Sequence, residues 1–184
     1  MFKSLANKLT LSRILIIPVI LLMLTIPQTW AAWLALGLYS LAGITDYLDG
    51  YLARRDNQVS MIGQFLDPIA DKLLVAAVIL FLVGNGQIYG LSVWPAAIIL
   101  MREVAVSGLR EFLAGVRVSV PVSHLAKWKT TLQIFSLGFL IVGRYAPSFI
   151  PSTEIGDFCL WGAAAMTIIT GWDYWRASLK HFTN

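Results

Sequence analysis

Apolar positions run almost unbroken through six stretches of the chain, at about residues 9–27, 31–54, 62–84, 91–114, 128–147 and 155–177. Each reaches or approaches the ~20 residues that a helix needs to cross a bilayer. Polar or turn-forming segments separate them, among them Pro27-Gln28-Thr29 and Gly84-Asn85-Gly86-Gln87, with Pro121, Pro147 and Pro151 marking further connections. Pro18, Pro68 and Pro95 fall inside the apolar stretches, where a membrane helix tolerates proline if neighbouring groups satisfy the freed carbonyls. The pattern predicts an all-α membrane protein: six transmembrane helices in one bundle, a single membrane domain over residues 1–184. The residues around Phe2, Leu5 and Leu9 suit a short surface-lying helix ahead of the first span.

Composition agrees with this picture. The 184 residues are 58% hydrophobic and only 13% charged, whereas soluble domains carry about 25% charged residues. The net charge of +4 follows topology rather than forming a nucleic-acid patch. Lys3, Lys8, Arg13, Arg54, Arg55, Arg110, Arg117, Lys127, Lys129, Arg176 and Lys180 fall at alternate ends of the spans, and the other ends hold Arg144 alone. The positive-inside rule then puts both termini in the cytosol. Trp30, Trp33 and Trp94 near one interface, with Trp128, Trp172 and Trp175 near the other, fit aromatic belts. The basic N-terminus followed by an apolar run resembles a signal peptide. Its removal would leave an odd number of spans, so a retained first span is expected, with Arg13 snorkelling to the interface. The single cysteine, Cys159, gives no disulfide framework, and no His/Cys spacing suggests zinc.

Against this apolar background four aspartates stand out: Asp46-x2-Asp49-Gly50-x2-Ala53-Arg54-x8-Gly63-x3-Asp67-x3-Asp71. They are four of only ten acidic residues. An aspartate at the centre of a membrane helix costs about 2.5–3.5 kcal/mol, so four would cost roughly 10–14 kcal/mol unless neutralised. Hard divalent cations offset clustered carboxylates well. Asp46 and Asp49 are three residues apart and Asp67 and Asp71 four apart, so each pair shares a helix face. A hairpin centred near Gln58 would bring Asp49 level with Asp67 and Asp46 level with Asp71, in layers roughly 5 Å apart. That accommodates two metal ions about 3.5–4 Å apart, an arrangement used in phosphoryl chemistry. The site would lie roughly 12–20 Å below the cytosolic surface. Gly50 and Gly63 permit close helix approach or a flat ligand, and Arg54 is placed to hold a phosphate.

The fourth span carries Arg102, Glu103, Arg110 and Glu111 on one face. That face should point into the bundle or a wet cavity, with Arg102–Glu103 neutralisation as the simpler alternative. Arg110, Lys127 and Lys129, near the cytosolic ends of the fourth and fifth spans, form a cluster suited to a phosphomonoester. Positive-inside topology explains the same cations without a ligand.

The aspartate pattern resembles the signature of the CDP-alcohol phosphotransferase family, D-x2-D-G-x2-A-R-x8-G-x3-D-x3-D, with every fixed position present. The resemblance implies six membrane helices, a homodimer, a CDP-linked donor, release of CMP and two divalent ions, Mg²⁺ or Mn²⁺, per active site. By position, Asp46, Asp49, Asp67 and Asp71 would bind metal, with Asp71 also the catalytic base. Asn7, Thr10, Arg13, Gly50, Ala53, Arg54, Ser60 and Gly63 would border the nucleotide. The segments Arg102-Glu103, Ser107-Gly108-Leu109-Arg110-Glu111 and Lys127-Trp128-Lys129-Thr130 resemble the bacterial branch that moves a phosphatidyl group from CDP-diacylglycerol to sn-glycerol 3-phosphate. Arg110, Lys127 and Lys129 would then bind the acceptor phosphate. The same resemblance implies a multi-pass protein of the bacterial cytoplasmic (inner) membrane, among membrane lipid, with its active site facing the cytosol. Inositol-phosphate, serine and cardiolipin synthases are alternatives within the family. An ion transporter using intramembrane carboxylates is the alternative outside it.

Overall fold

Each of the six apolar stretches forms one helix in the computed structural model of the chain, which describes residues 5–55, 61–115 and 124–179. Side chains at 5–9, 46–55, 61–65, 67, 114, 124 and 177 lie outside the description. The helices are α1 (Leu5–Thr25), α2 (Thr29–Arg55), α3 (Met61–Gly84), α4 (Val93–Gly115), α5 (His124–Val142) and α6 (Ser152–Leu179). No strand occurs among the described residues. Leu5 and Leu9 belong to the same unbroken helix as the first apolar run, since no breaker separates them from it. A separate surface helix is therefore not found among the described residues.

The fifth helix departs most from the expected bounds. It starts four residues earlier than 128 and ends at Val142 rather than 147. Gly143 adopts a left-handed conformation, φ +41, which ends the helix in a 3₁₀ turn, Gly143–Tyr145. Ala146 then turns extended, as a residue before proline prefers. After α3, Gly86 takes φ +68 and the Gln87 N–H returns to Leu82 O at 2.9 Å, a glycine-terminated helix end.

The chain divides into two compact units. The first comprises Met1–Ile88 with Gly138–Thr153, and the second Tyr89–Leu137 with Glu154–Asn184. In the first unit α1 packs against both α2 and α3. The contact stripes follow helical spacing: Ala31, Ala35, Tyr39 and Ala42 on α2, and Ala70, Leu74, Val78 and Leu82 on α3, are all buried. Alanines on α2 let a neighbouring backbone approach, the usual device where lipid offers no competing hydrophobic effect. In the second unit Val106, Leu109 and Leu113 of α4 cluster with Tyr174 of α6. Ser136 of α5 donates to the Gly156 carbonyl of α6 at 2.7 Å.

Large apolar side chains face outward on both units, among them Leu80 (64% exposed), Val104 (73%) and Phe158 (81%). Segments Gly90–Leu113 and Ser152–Arg176 are long and apolar enough to cross a membrane. An outward apolar surface of this kind fits a membrane protein, for which lipid is the solvent.

Candidate active site

On α1 the positions Thr10, Arg13, Ile17 and Ile20 recur at spacings of three and four and form one buried face. Arg13 is only 1% exposed. It lies inside the first unit rather than snorkelling to an interface. Removing a guanidinium from water costs several kcal/mol unless acceptors or carboxylates replace the lost hydration. Thr10 and Arg13 stand near the start of α1, which packs on the two helices that carry the aspartates.

Asp46 and Asp49 sit on α2 nine and six residues before its last residue, Arg55. Asp67 and Asp71 sit on α3 six and ten residues after its first, Met61. The backbone therefore places each pair within one helix, on the spacing that keeps a pair on one face. Gly50, Ala53 and Arg54 follow on α2, and Gly63 precedes Asp67 on α3. The side chains of Asn7, Asp46, Asp49, Ala53, Arg54 and Asp67 lie outside the described residues, as do Ser60 altogether and any surroundings of Gly50 and Gly63. Asp71 is exposed, and Tyr39 of the same unit is buried on α2. Tyr39 was not singled out by the motif. It stands seven residues before Asp46, two helical turns along the same face of α2, and that spacing was the available signal.

Among the described residues no group of three or more His, Cys, Asp or Glu side chains is placed to hold a metal. Three of the four aspartate side chains fall outside that description. As a donor set, two carboxylate pairs on neighbouring stretches of one unit suit hard divalent cations, which prefer oxygen ligands.

The remaining polar residues of interest belong to the second unit. Arg102 donates from Nη1 to Glu103 Oε1 at 3.3 Å and from Nη2 to the Thr170 hydroxyl at 3.4 Å. Glu103 Oε1 also accepts a hydrogen bond from the Lys129 ammonium, and Lys129 is buried. The internal Arg102–Glu103 neutralisation is thus present. Lys129 on α5 joins it as a second cation, a pairing across helices that sequence spacing did not reveal. Gln133 Oε1 and Thr167 Oγ1 are buried nearby in the same unit without a partner among the described residues. Arg110 is exposed, with its guanidinium 5.8 Å from the centroid of the Tyr174 ring. Lys127 is exposed near the start of α5. Cys159 is a half-buried free thiol.

Comparison with known proteins gives a consistent result. The model of the CDP-alcohol phosphatidyltransferase family matches residues 3–169. A Rickettsia felis protein named CDP-diacylglycerol–glycerol-3-phosphate 3-phosphatidyltransferase is 49% identical over 180 residues, covering 98% of each chain. A Bacillus subtilis protein of that name is 38% identical over 184 aligned residues, covering 93% of each chain. An Escherichia coli protein of that name is 42% identical over 135 residues, covering 72% of this chain and 74% of its own.

Proposed function

The chain belongs to the CDP-alcohol phosphatidyltransferase family, and we propose that it transfers the phosphatidyl group of CDP-diacylglycerol to sn-glycerol 3-phosphate. The products are phosphatidylglycerophosphate and CMP. The observation that carries this reading is identity of up to 49%, over nearly the whole of both chains, to relatives whose name specifies both substrates. The complete aspartate signature on α2 and α3 supports it.

In this reaction a hydroxyl of glycerol 3-phosphate attacks the phosphatidyl phosphorus, and the bond to the CMP phosphate breaks. Asp71 accepts the hydroxyl proton, a role suited to a carboxylate near the end of the motif and exposed to an incoming acceptor. Thr10 and Arg13, on the buried face of α1, contact the donor, with Gly50, Arg54 and Gly63 bordering the nucleotide and its pyrophosphate. Asp46, Asp49, Asp67 and Asp71 would hold two divalent ions, Mg²⁺ or Mn²⁺, which when bound neutralise charge on the pyrophosphate and the departing CMP.

For the acceptor, exposed Arg110 and Lys127 supply the charge that a phosphomonoester needs and a neutral alcohol does not. Lys129 assists from a fixed position, because Glu103 is shared with Arg102 and the three groups together keep a net positive charge. All six helices span the cytoplasmic membrane of a bacterium, with both termini and the aspartate site on the cytosolic side, and the protein works as a homodimer. Charge asymmetry between the helix ends supports this orientation.

The test is CMP release by purified protein supplied with CDP-diacylglycerol and a panel of acceptors. Release with glycerol 3-phosphate in preference to inositol phosphate, serine or phosphatidylglycerol is expected. Preference for any of the others removes the acceptor assignment.

A further inference from the structure

At the end of the first unit remote from the aspartates, the α1–α2 turn, the α3–α4 link and the 3₁₀ turn at Gly143 enclose a cavity of about 180 Å³. Asp46 stands seventeen residues along α2 from Thr29, so roughly 25 Å separates this cavity from the aspartate nearest to it on that helix. It is a separate place, not an extension of the active site.

The C-terminal end of α1 presents backbone carbonyls, which would give such a pocket acceptor character. Nearby carbonyls are already engaged, however. Leu22 O accepts from the Thr25 hydroxyl at 2.7 Å, Met23 O from the Ile26 N–H at 3.1 Å, and Leu24 O from Asn85 Nδ2 at 2.7 Å. Ile141 O accepts from Gln87 Nε2 at 3.3 Å. What remains is a cation. Arg144 lines the cavity and is anchored through Nη2 to Asn85 O at 3.0 Å, with its guanidinium over the Tyr145 ring. A guanidinium has five N–H donors, so most of its capacity is left for a further acceptor. Among the described residues, no aspartate or glutamate lines the cavity. Among the described residues, the surplus is one positive charge with oriented donors and no lining carboxylate to cancel it.

We propose that this cavity binds the phosphate of an anionic phospholipid headgroup, in the leaflet opposite to the active site. The cavity is smaller than the ~300–1,000 Å³ of pockets that enclose whole drug-sized ligands, so it takes a headgroup and leaves the chains outside. Exposed Leu22 on α1, Trp30 and Trp33 on α2, and Phe149 after the 3₁₀ turn provide apolar and interfacial surface on the same unit for those chains. Selectivity for an anionic over a zwitterionic lipid follows from the missing carboxylate, which leaves an ammonium or choline group no counter-charge in the cavity. The placement in a leaflet rests on the membrane orientation proposed above; the recognition of phosphate by Arg144 does not.

The experiment compares full-length wild-type, Arg144→Gln and Arg144→Lys proteins, stripped of lipid in detergent and titrated with phosphatidylglycerol under native mass spectrometry. Wild type is expected to retain a phosphatidylglycerol whose affinity falls about tenfold or more in Arg144→Gln, as for loss of a charge-assisted phosphate contact, and less in Arg144→Lys. Equal retention by wild type and Arg144→Gln overturns the proposal. Equal binding of phosphatidylcholine overturns the anionic selectivity. Displacement of the retained lipid by millimolar inorganic phosphate assigns the site to a soluble anion and overturns the lipid. CMP release by Arg144→Gln close to that of wild type reports that the variant is folded. Should it not fold, Tyr145→Leu, which removes the ring beneath the guanidinium, takes its place, and unchanged lipid affinity there overturns the proposal. Absent CMP release from wild type would strike the proposed reaction while leaving the difference in lipid binding intact.

Discussion

The guanidinium of Arg110 lies 5.8 Å from the ring centroid of Tyr174, so a cation proposed to meet the acceptor is steadied by a buried aromatic residue on α6. The ring restricts where the charge sits without neutralising it. A carboxylate in the same place would have cancelled the attraction for phosphate.

Tyr174→Leu should therefore raise the acceptor KM modestly. A cation–π contact at an exposed cation is worth about 0.5–1 kcal/mol, or roughly a two- to fivefold change. Arg110→Gln and Lys127→Gln should raise it about 10- to 150-fold, the range for losing a charge-assisted contact. Donor KM should change little in all three. Unchanged acceptor kinetics in both cation variants, measured on correctly inserted protein, would return these residues to a purely topological role.

Asp71→Asn should lose the rate while keeping the donor. Removing a general base typically costs about 10²–10⁴ in rate. CMP formation and CDP-diacylglycerol binding, measured side by side, check this. A residual rate above about a tenth of wild type is too high for loss of the base.

Chelation should abolish activity, and Mg²⁺ or Mn²⁺ should restore it where Na⁺ does not. The reason is the concentration of four carboxylates on two helices of the first unit, which a monovalent ion offsets poorly. Full turnover by metal-stripped protein in excess chelator would contradict it.

Glu103→Gln should destabilise the second unit, because it leaves Arg102 and Lys129 without their shared carboxylate. Breaking a fully buried pair costs about 3–5 kcal/mol; with Glu103 18% exposed, roughly 1–3 kcal/mol is expected. Thermal unfolding in detergent measures the loss. The double variant Glu103→Gln/Lys129→Met should recover part of it, and strict additivity would show that the two side chains are not coupled.

Helix number and approximate bounds were legible because apolar run length is a strong signal in a chain destined for lipid. The end of α5 was not, since an apolar count continues through Gly143 and Tyr145 while the backbone turns left-handed at Gly143. The aspartate motif was legible as spacing, and the structure places its members on α2 and α3 as expected. Arg13 departs from the expectation: a basic residue near a helix start reads as interfacial, yet its position on the Thr10–Ile17–Ile20 face puts it inside. The Lys129–Glu103 pair could not be read because 26 residues separate its partners. Periodicity reports which residues share a helix face, not which helix lies opposite.

The outward display of Leu80, Val104 and Phe158 also constrains how the protein is produced. A finished chain with those side chains in water would aggregate before its helices could find one another. Insertion must accordingly keep pace with synthesis. Cell-free production should yield active enzyme only when vesicles or detergent are present during translation, and adding them afterwards should recover little.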